Sequence, residues 1–328
     1  MSKRVKVAVL DSGLDTKTYF ELFNENITEG YSLCTEEKNP EKKGKIFEDL
    51  NGHGTACAVK IKEIAPDAII VPVKILLDDG RGSIEWLIEA LKLVNELDVQ
   101  VVNMSISSDI DELRKMLKPI LEKLKRKGIT CIASKSNTRR VSIPAEMTNV
   151  IGVGSSQEVF ETNYQYCNKD GINIVASGAP ELLGYPNKLK TFFKGNSRAT
   201  AIITGLLADY ISNSGTMKSQ EDLIRYLKSN SKNSKEQLYG IDMSCKNKEI
   251  EAVVANTITK LLQEEKINMV LENDTDLNYS LSSIEDFYKI VMELERVFKC
   301  NILGNTTVYM KYFQAINNLS RLVEVSRK

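Results

Sequence analysis

Along the first two thirds of the chain, short runs rich in β-branched residues alternate with longer stretches in which apolar positions recur every three or four residues. The runs Val5–Leu10, Ile69–Ile75, Val99–Ser105, Ile129–Ala133, Val150–Val153 and Ile172–Ala176 read as strands. The periodic stretches Thr55–Ile64, Ser83–Leu97, Ile110–Lys127 and Ser197–Ser212 read as helices. Strands and helices in alternation predict an α/β fold, with a mostly parallel sheet and helices on both faces. Pro119 should kink the third helix. The run Lys123-Leu124-Lys125-Arg126-Lys127 before Gly128 reads as a solvated helix end, where cations suit the dipole and glycine can cap.

Between about 213 and 247 the apolar periodicity gives way to Ser, Asn and Lys, as in Lys228-Ser229-Asn230-Ser231-Lys232-Asn233-Ser234-Lys235, which reads as a domain end and a linker. Helical periodicity returns at Glu249–Leu262, Ser283–Phe298 and Met310–Val323. The pattern therefore divides the chain into a domain over 1–235, a linker over 236–246 and a small all-α helical domain over 247–328.

Composition changes this picture little. A chain of 328 residues is long enough for a large core and a second small domain. Lys plus Arg and Asp plus Glu are 44 each, so no net field draws the chain to nucleic acid or to an anionic membrane. The N-terminus enters a strand pattern without the apolar stretch of a signal peptide, and no apolar run approaches the roughly 18 residues of a membrane span. A cytoplasmic location is expected. The six cysteines form no CxxC pair, and with one histidine in the chain neither zinc nor any other metal site is expected. Reduced, structurally idle thiols fit that compartment.

The lone histidine, His53, lies in Asn51-Gly52-His53-Gly54-Thr55, so any imidazole chemistry passes through it. Asp11 ends the first strand, at the sheet edge where α/β sites assemble. Ser197 opens a helix, where free N–H groups and the dipole favour developing negative charge. A serine is a weak nucleophile and needs a base. His53 would take its proton, and Asp11 would hold the imidazole tautomer. The chain order Asp, His, Ser is one of three in which this triad occurs. Asn137, at the end of the strand run Ile129–Ala133 and its following residues, would donate to an oxyanion together with the Ser197 N–H.

On these segments, residues 1 to about 215 resemble the subtilisin (subtilase) family of serine endopeptidases. Val9-Leu10-Asp11-Ser12-Gly13, Gly52-His53-Gly54-Thr55-Ala56 and Gly195-Asn196-Ser197-Arg198-Ala199 match the three catalytic motifs. Val102-Asn103-Met104-Ser105-Ile106 resembles the substrate-pairing strand and Ser136-Asn137 the oxyanion segment. Ile143-Pro144-Ala145 and Asn149-Val150-Ile151-Gly152-Val153-Gly154 resemble the floor of the specificity pocket. The resemblance implies a subtilisin-like fold and an acyl-enzyme mechanism on a peptide or protein substrate, which would add as a strand alongside Val102–Ser107. Its substrate-binding residues would be Ser105, Ile106, Ser107, Ser134, Lys135 and Ser136. It implies no required cofactor. Calcium is not expected, because the interval from His53 to Ala65-Pro66 is too short for the calcium loop of many secreted relatives.

Several positions depart from the family pattern. Asn196, Arg198 and Ala201 stand where Thr, Met and Pro are usual, and Ser107 and Ser108 replace two glycines, which should narrow the first subsites. Lys135 and Ser136 replace small residues beside Asn137. A catalytically silent scaffold is the alternative reading. Farther on, Leu277–Phe287 and the helix after it are similar to acyl or peptidyl carrier proteins, in which a serine opening the second helix carries 4'-phosphopantetheine. Ser283 would be that serine, or simply a helix N-cap. Such a fusion suggests a protease that matures a peptide precursor, recruited to a biosynthetic partner protein through its C-terminal domain.

Overall fold

The computed structural model describes residues 4–17, 20–23, 29–34, 47–137, 141–160, 162–169, 171–183, 192–216, 218–232, 242–264, 276–279, 281 and 283–327. The chain forms two compact units, Met1–Gly178 with Gly195–Tyr239, and Ala179–Lys194 with Gly240–Lys328.

The first unit is built on an eight-stranded sheet. Its strands are β1 (Lys6–Asp11), β2 (Tyr31–Ser32), β3 (Ile69–Lys74), β4 (Val101–Met104), β5 (Thr130–Ser134), β6 (Val150–Ser156), β7 (Tyr164–Lys169) and β8 (Ile172–Ser177). They lie in the order β2-β3-β1-β4-β5-β6-β8-β7, and only the β7–β8 pair is antiparallel. The helices are α1 (Phe20–Phe23), α2 (His53–Ile64), α3 (Ile84–Glu96), α4 (Leu113–Arg126), α5 (Gly195–Ser214) and α6 (Gln220–Ser229).

Side-chain alternation decides which way the first strand faces. Ala8 and Leu10 join Val71, Val73, Val102 and Met104 in a core with Leu87, Leu91 and Val94 of α3 and Leu117, Leu121 and Leu124 of α4. Burying each such leucine contributes about 1.5–3 kcal/mol. Val7, Val9 and Asp11 then point to the opposite face, where α2 packs on α5 and α5 lies across β4, β5, β6 and β8. The alternation that fills one core thus delivers the Asp11 carboxylate beneath α2.

The six expected strands and four expected helices of this unit are all present. Helix α4 runs through Pro119 from Leu113 to Arg126. The Ser/Asn/Lys-rich stretch after 213 is not structureless, because it contains α6, whose Leu223 and Leu227 are buried and whose Ser219 accepts from the Asp222 N–H at 3.1 Å. Two leucines in ten residues are too sparse a stripe to stand out. Residues 236–241 of the expected linker lie outside the described residues.

The second unit holds the helices α7 (Lys248–Glu264), α8 (Ile284–Phe298), α9 (Ile302–Asn305) and α10 (Ile316–Ser326). The periodic stretch Met310–Val323 is not one helix. A 3-10 turn at Met310–Gln314 is separated from α10 by Ala315, whose backbone is extended. Beside the helices is a three-stranded sheet in the order β10-β9-β11, formed by β9 (Glu181–Leu182), β10 (Phe192–Phe193) and β11 (Val308–Tyr309). Two of its strands therefore come from the stretch just before α5. Among the described residues, no helix is long and apolar enough to cross a membrane.

Candidate active site

Asp11 is the last residue of β1 and is fully buried. His53 is the first residue of α2, and its Nδ1 lies 2.7 Å from Asp11 Oδ1. The same oxygen accepts from the Ser12 N–H at 2.8 Å. Glycine at 54 makes the approach sterically feasible. A Cβ there would come within 2.4 Å of the Gly13 carbonyl oxygen and 3.1 Å of Asp11 Cβ, so the first turn of α2 can rest on the β1 loop only without a side chain.

A second buried carboxylate, Asp49, locks this arrangement and was not singled out from the sequence. Its Oδ1 accepts from Ser12 Oγ at 2.9 Å, Asn51 N at 3.1 Å and Gly52 N at 2.8 Å. Its Oδ2 accepts from Thr55 N at 2.8 Å and Thr55 Oγ1 at 2.6 Å. Ser12 Oγ in turn accepts from Gly54 N, and Thr55 Oγ1 from Asp15 N, each at 2.9 Å. An anion at a helix N-terminus answers orphan N–H groups and the dipole together. The result is that residues 12–15 and 52–55 are tied to one carboxylate. The available signal was an acid four residues before the histidine, in a loop leading into a helix.

Behind the pair runs a buried polar chain. Thr204 Oγ1 of α5 donates to Asn103 Oδ1 at 2.9 Å, and Asn103 Nδ2 donates to Ser105 Oγ at 3.2 Å. Cys57 Sγ of α2 lies 3.3 Å from Ser105 Oγ and 3.8 Å from Asp11 Oδ2. Among the described residues, Asp11, His53 and Cys57 form the one group whose donor atoms lie close enough together for a metal, within 4.8 Å of one another. Burial first, and the Asp11 charge second, push the Cys57 thiol well above its ordinary range, and Asp11 already engages His53 Nδ1. The 2.7 Å contact between Asp11 and His53 is an arrangement suited to proton transfer.

Ser197 is half-buried in the first turn of α5. The chain enters that helix through Gly195, whose φ of 73° is left-handed and favours glycine. Asn196 accepts from Ser155 Oγ at 2.7 Å and donates from Nδ2 to the Lys135 carbonyl at 2.8 Å, stapling the helix start to the ends of β5 and β6. Its N–H donates, over 3.4 Å, to Asn137 Oδ1, which leaves the Asn137 NH2 as the donor end of that side chain. Arg198 is buried, and one guanidinium nitrogen donates to the Ser177 carbonyl at 3.0 Å and to Ser177 Oγ at 2.6 Å. This residue is therefore committed to the end of β8, and it does not line the cleft.

His53, Ser197 and Asn137 line one cleft of about 560 Å³. Its other walls combine apolar side chains, Ile75, Leu76, Ile84, Leu87, Ile106, Ile110, Leu113 and Ile143, with polar ones, Asn51, Ser83, Ser105, Ser107, Ser108 and Asp109. Ser134, Lys135 and Ser136 are not part of this wall. Ser134 is buried at the end of β5, Lys135 is exposed with its N–H on the Val153 carbonyl, and the Ser136 N–H donates to Ser142 Oγ.

One expectation needs correction. A peptide cannot add alongside Val102–Met104, because β4 is hydrogen-bonded to β1 on one side and β5 on the other. The chain leaves the sheet only after Met104, and Ser108 is again paired, with Ile143. Ser105, Ile106 and Ser107, between those two pairings, line the cleft.

The charge of Asp11 raises the pKa of His53 above its ordinary value, burial opposes that shift, and the hydrogen bond to Asp11 and the charge of Asp49 add to it. Ser283 belongs to the second unit. It is the N-cap of α8, and its N–H donates to Asp286 Oδ2 at 2.9 Å.

The subtilase family model matches residues 2–268. The "major intracellular serine protease" of Bacillus subtilis (strain 168) is 31% identical over 226 residues, covering 63% of this chain and 68% of that protein. Subtilisin BL of Lederbergia lenta is 28% identical over 215 residues, 62% of this chain and 75% of the relative. Among solved structures, a lanthipeptide protease superimposes with a TM-score of 0.56 at 21% identity, covering 72% of this chain and 84% of its own.

Two outcomes follow from the site's electrostatics. As the only histidine, His53 gives unambiguous imidazole NMR signals, and their titration midpoint should lie above 6.5 and fall in Asp11→Asn; an unshifted midpoint in that variant would contradict the pairing. Asp49→Ala strips buried donors of their acceptor and should lower unfolding free energy by about 1–3 kcal/mol or more in denaturant titrations.

Proposed function

Given that the chain belongs to the subtilase family and is a serine endopeptidase, we propose that it cuts peptide bonds with Ser197 as nucleophile, His53 as base, Asp11 as orienter and Asn137 as oxyanion donor. The observation that carries this reading is the 2.7 Å bond between His53 Nδ1 and Asp11 Oδ1, at the edge where His53, Ser197 and Asn137 line a common cleft.

With Nδ1 engaged by Asp11, the other imidazole nitrogen would take the Ser197 proton as Oγ adds to the peptide carbonyl. The negative oxygen of the adduct would be met by the Asn137 NH2 and the Ser197 N–H at the start of α5. His53 then gives its proton to the departing amine. The same imidazole activates the water that releases the acyl group. The raised pKa of His53 sets the acid side of this cycle. Below it the imidazole is protonated and cannot accept, so turnover rises as pH climbs through that value.

The substrate would lie extended along Ser105–Ser107, with an apolar side chain, on the amino-terminal side of the cut, in the pocket formed by Ile84, Leu87, Ile106 and Leu113. A lanthipeptide protease among the structural neighbours supports maturation of a peptide precursor as the task, and the C-terminal region would recruit a biosynthetic partner. Relatives named as intracellular proteases support a cytoplasmic setting.

A fluorophosphonate probe should label the wild type and leave Ser197→Ala unlabelled, and a peptide library should show cleavage after extended segments bearing an apolar residue. Asn137→Ala should lower turnover about 100- to 1000-fold with little change in KM. A wild-type protein that takes no probe would overturn the reading.

A further inference from the structure

Strand β5 ends at Ser134, and the next three residues carry the chain to Asn137. Each is held differently. The Lys135 N–H donates to the Val153 carbonyl of β6 at 2.7 Å, and the Lys135 carbonyl accepts from Asn196 Nδ2 at 2.8 Å. The Ser136 N–H donates to Ser142 Oγ at 3.0 Å. At Asn137 the side-chain oxygen accepts from the Asn196 N–H over 3.4 Å, beyond the usual range of such bonds. In chain order, then, Ser142 holds the residue next to Asn137.

Ser142 is fully buried, in a turn between β5 and β6. A buried N–H outside the sheet ladders needs an acceptor, and Glu146 Oε1 meets the Ser142 N–H at 2.9 Å while the Ser142 carbonyl accepts from the Glu146 N–H at 2.9 Å. The other carboxylate oxygen, Oε2, accepts from Arg114 Nη2 of α4 at 2.8 Å, and Arg114 Nε donates to Asp111 Oδ1 at 2.8 Å. The turn is seated closely. A Cβ at Gly152 would come within 2.3 Å of the Ala145 carbonyl oxygen, and one at Gly171 within 2.9 Å of Glu146 Cα. Ile143 of the same turn exchanges two backbone bonds of 2.8 Å with Ser108, and these need no carboxylate.

An oxyanion donor acts only from the right place. A displacement of about 1 Å, caused from a distance, can cost on the order of 100-fold in rate. We infer that Glu146 is a positioning residue for Asn137: its carboxylate, steadied by Arg114, fixes Ser142, and Ser142 Oγ fixes the Ser136 backbone from which Asn137 reaches the cleft. Glu146 touches no reacting atom in this scheme. Because Ser108 keeps its backbone bonds to Ile143, the wall at Ser105–Ser108 does not depend on the carboxylate. The inference rests on the assignment of Asn137 as oxyanion donor above.

The test uses the full chain with Glu146→Ala, Glu146→Gln and Ser142→Ala, each alone, and Glu146→Ala combined with Asn137→Ala. Met116→Ala, at an exposed position of α4, is the control. Trp86, the only tryptophan, packs against the core of the first unit and reports by fluorescence that it stays folded. In Glu146→Ala, kcat for a short peptide ester should fall roughly tenfold or more while KM stays within about twofold. Ser142→Ala, a smaller change at a buried site, should lower kcat in the same sense. Glu146→Gln keeps an oxygen for the Ser142 N–H and should recover most of the loss, and Met116→Ala should match wild type. Once Asn137 is already alanine, adding Glu146→Ala should change kcat by less than about twofold, because the two act as a unit. A full further loss in that double variant, or wild-type kcat in both Glu146→Ala and Ser142→Ala, would overturn the inference. Wild-type kcat in Asn137→Ala alone is a separate result: it would remove the assignment of Asn137, and the inference with it.

Discussion

A carboxylate withdrawn from water must be met by donors, or its desolvation weighs against the folded state by several kcal/mol. The first unit carries two such groups at one place, Asp11 at the end of β1 and Asp49 before α2, and both are answered largely by the same helical turn. That requirement fixes much else. It explains why α2 begins at His53, why Gly52 is left-handed, why no side chain is tolerated at 54, and why Ser12 and Thr55 spend their hydroxyls locally. The imidazole stays on Asp11 because leaving would cost a buried carboxylate one of its donors, so solvation energetics favour its orientation.

Sequence carried the parts of this architecture that announce themselves locally. Strands such as Val5–Leu10 and helices such as α4 each bear their own apolar period, and Asp11, His53 and Ser197 each sit in a short motif at an element boundary. The rest depends on neighbours that local pattern cannot name. Asp49 is unremarkable until five donors surround it. Strand β4 reads like any apolar strand, yet how many partners it has is decided by β1 and β5, and that number moved the expected peptide-pairing edge outward to Ser105–Ser107. Polar β7, with Tyr164 alone of its six residues buried, gives no apolar alternation to find. The strands β9, β10 and β11 are two residues each and lie far apart in the chain, so no window of sequence contains the sheet they form.

The departures from the family pattern acquire physical roles in the same way. Asn196 replaces a smaller hydroxyl residue and spends its whole amide on two strand ends. Arg198 brings a cation into the interior, which is tolerated only when its donors are met, and the hydroxyl and carbonyl of Ser177 meet one nitrogen of it. Both flank Ser197 and both point their bonding groups into the scaffold. The neighbourhood of Ser197 is therefore more heavily cross-linked by side chains, and less dependent on its backbone alone, than the motif Gly195-Asn196-Ser197 conveys.

The shortness of the open edge at Ser105–Ser107 has a meaning for selectivity in time. Backbone pairing over three residues demands that the visiting chain be unfurled there, because a helix or an already paired strand has no spare amides to offer. If a peptide pairs there as proposed, a stretch that is still slack would be open to cutting and one already folded or paired would be refractory.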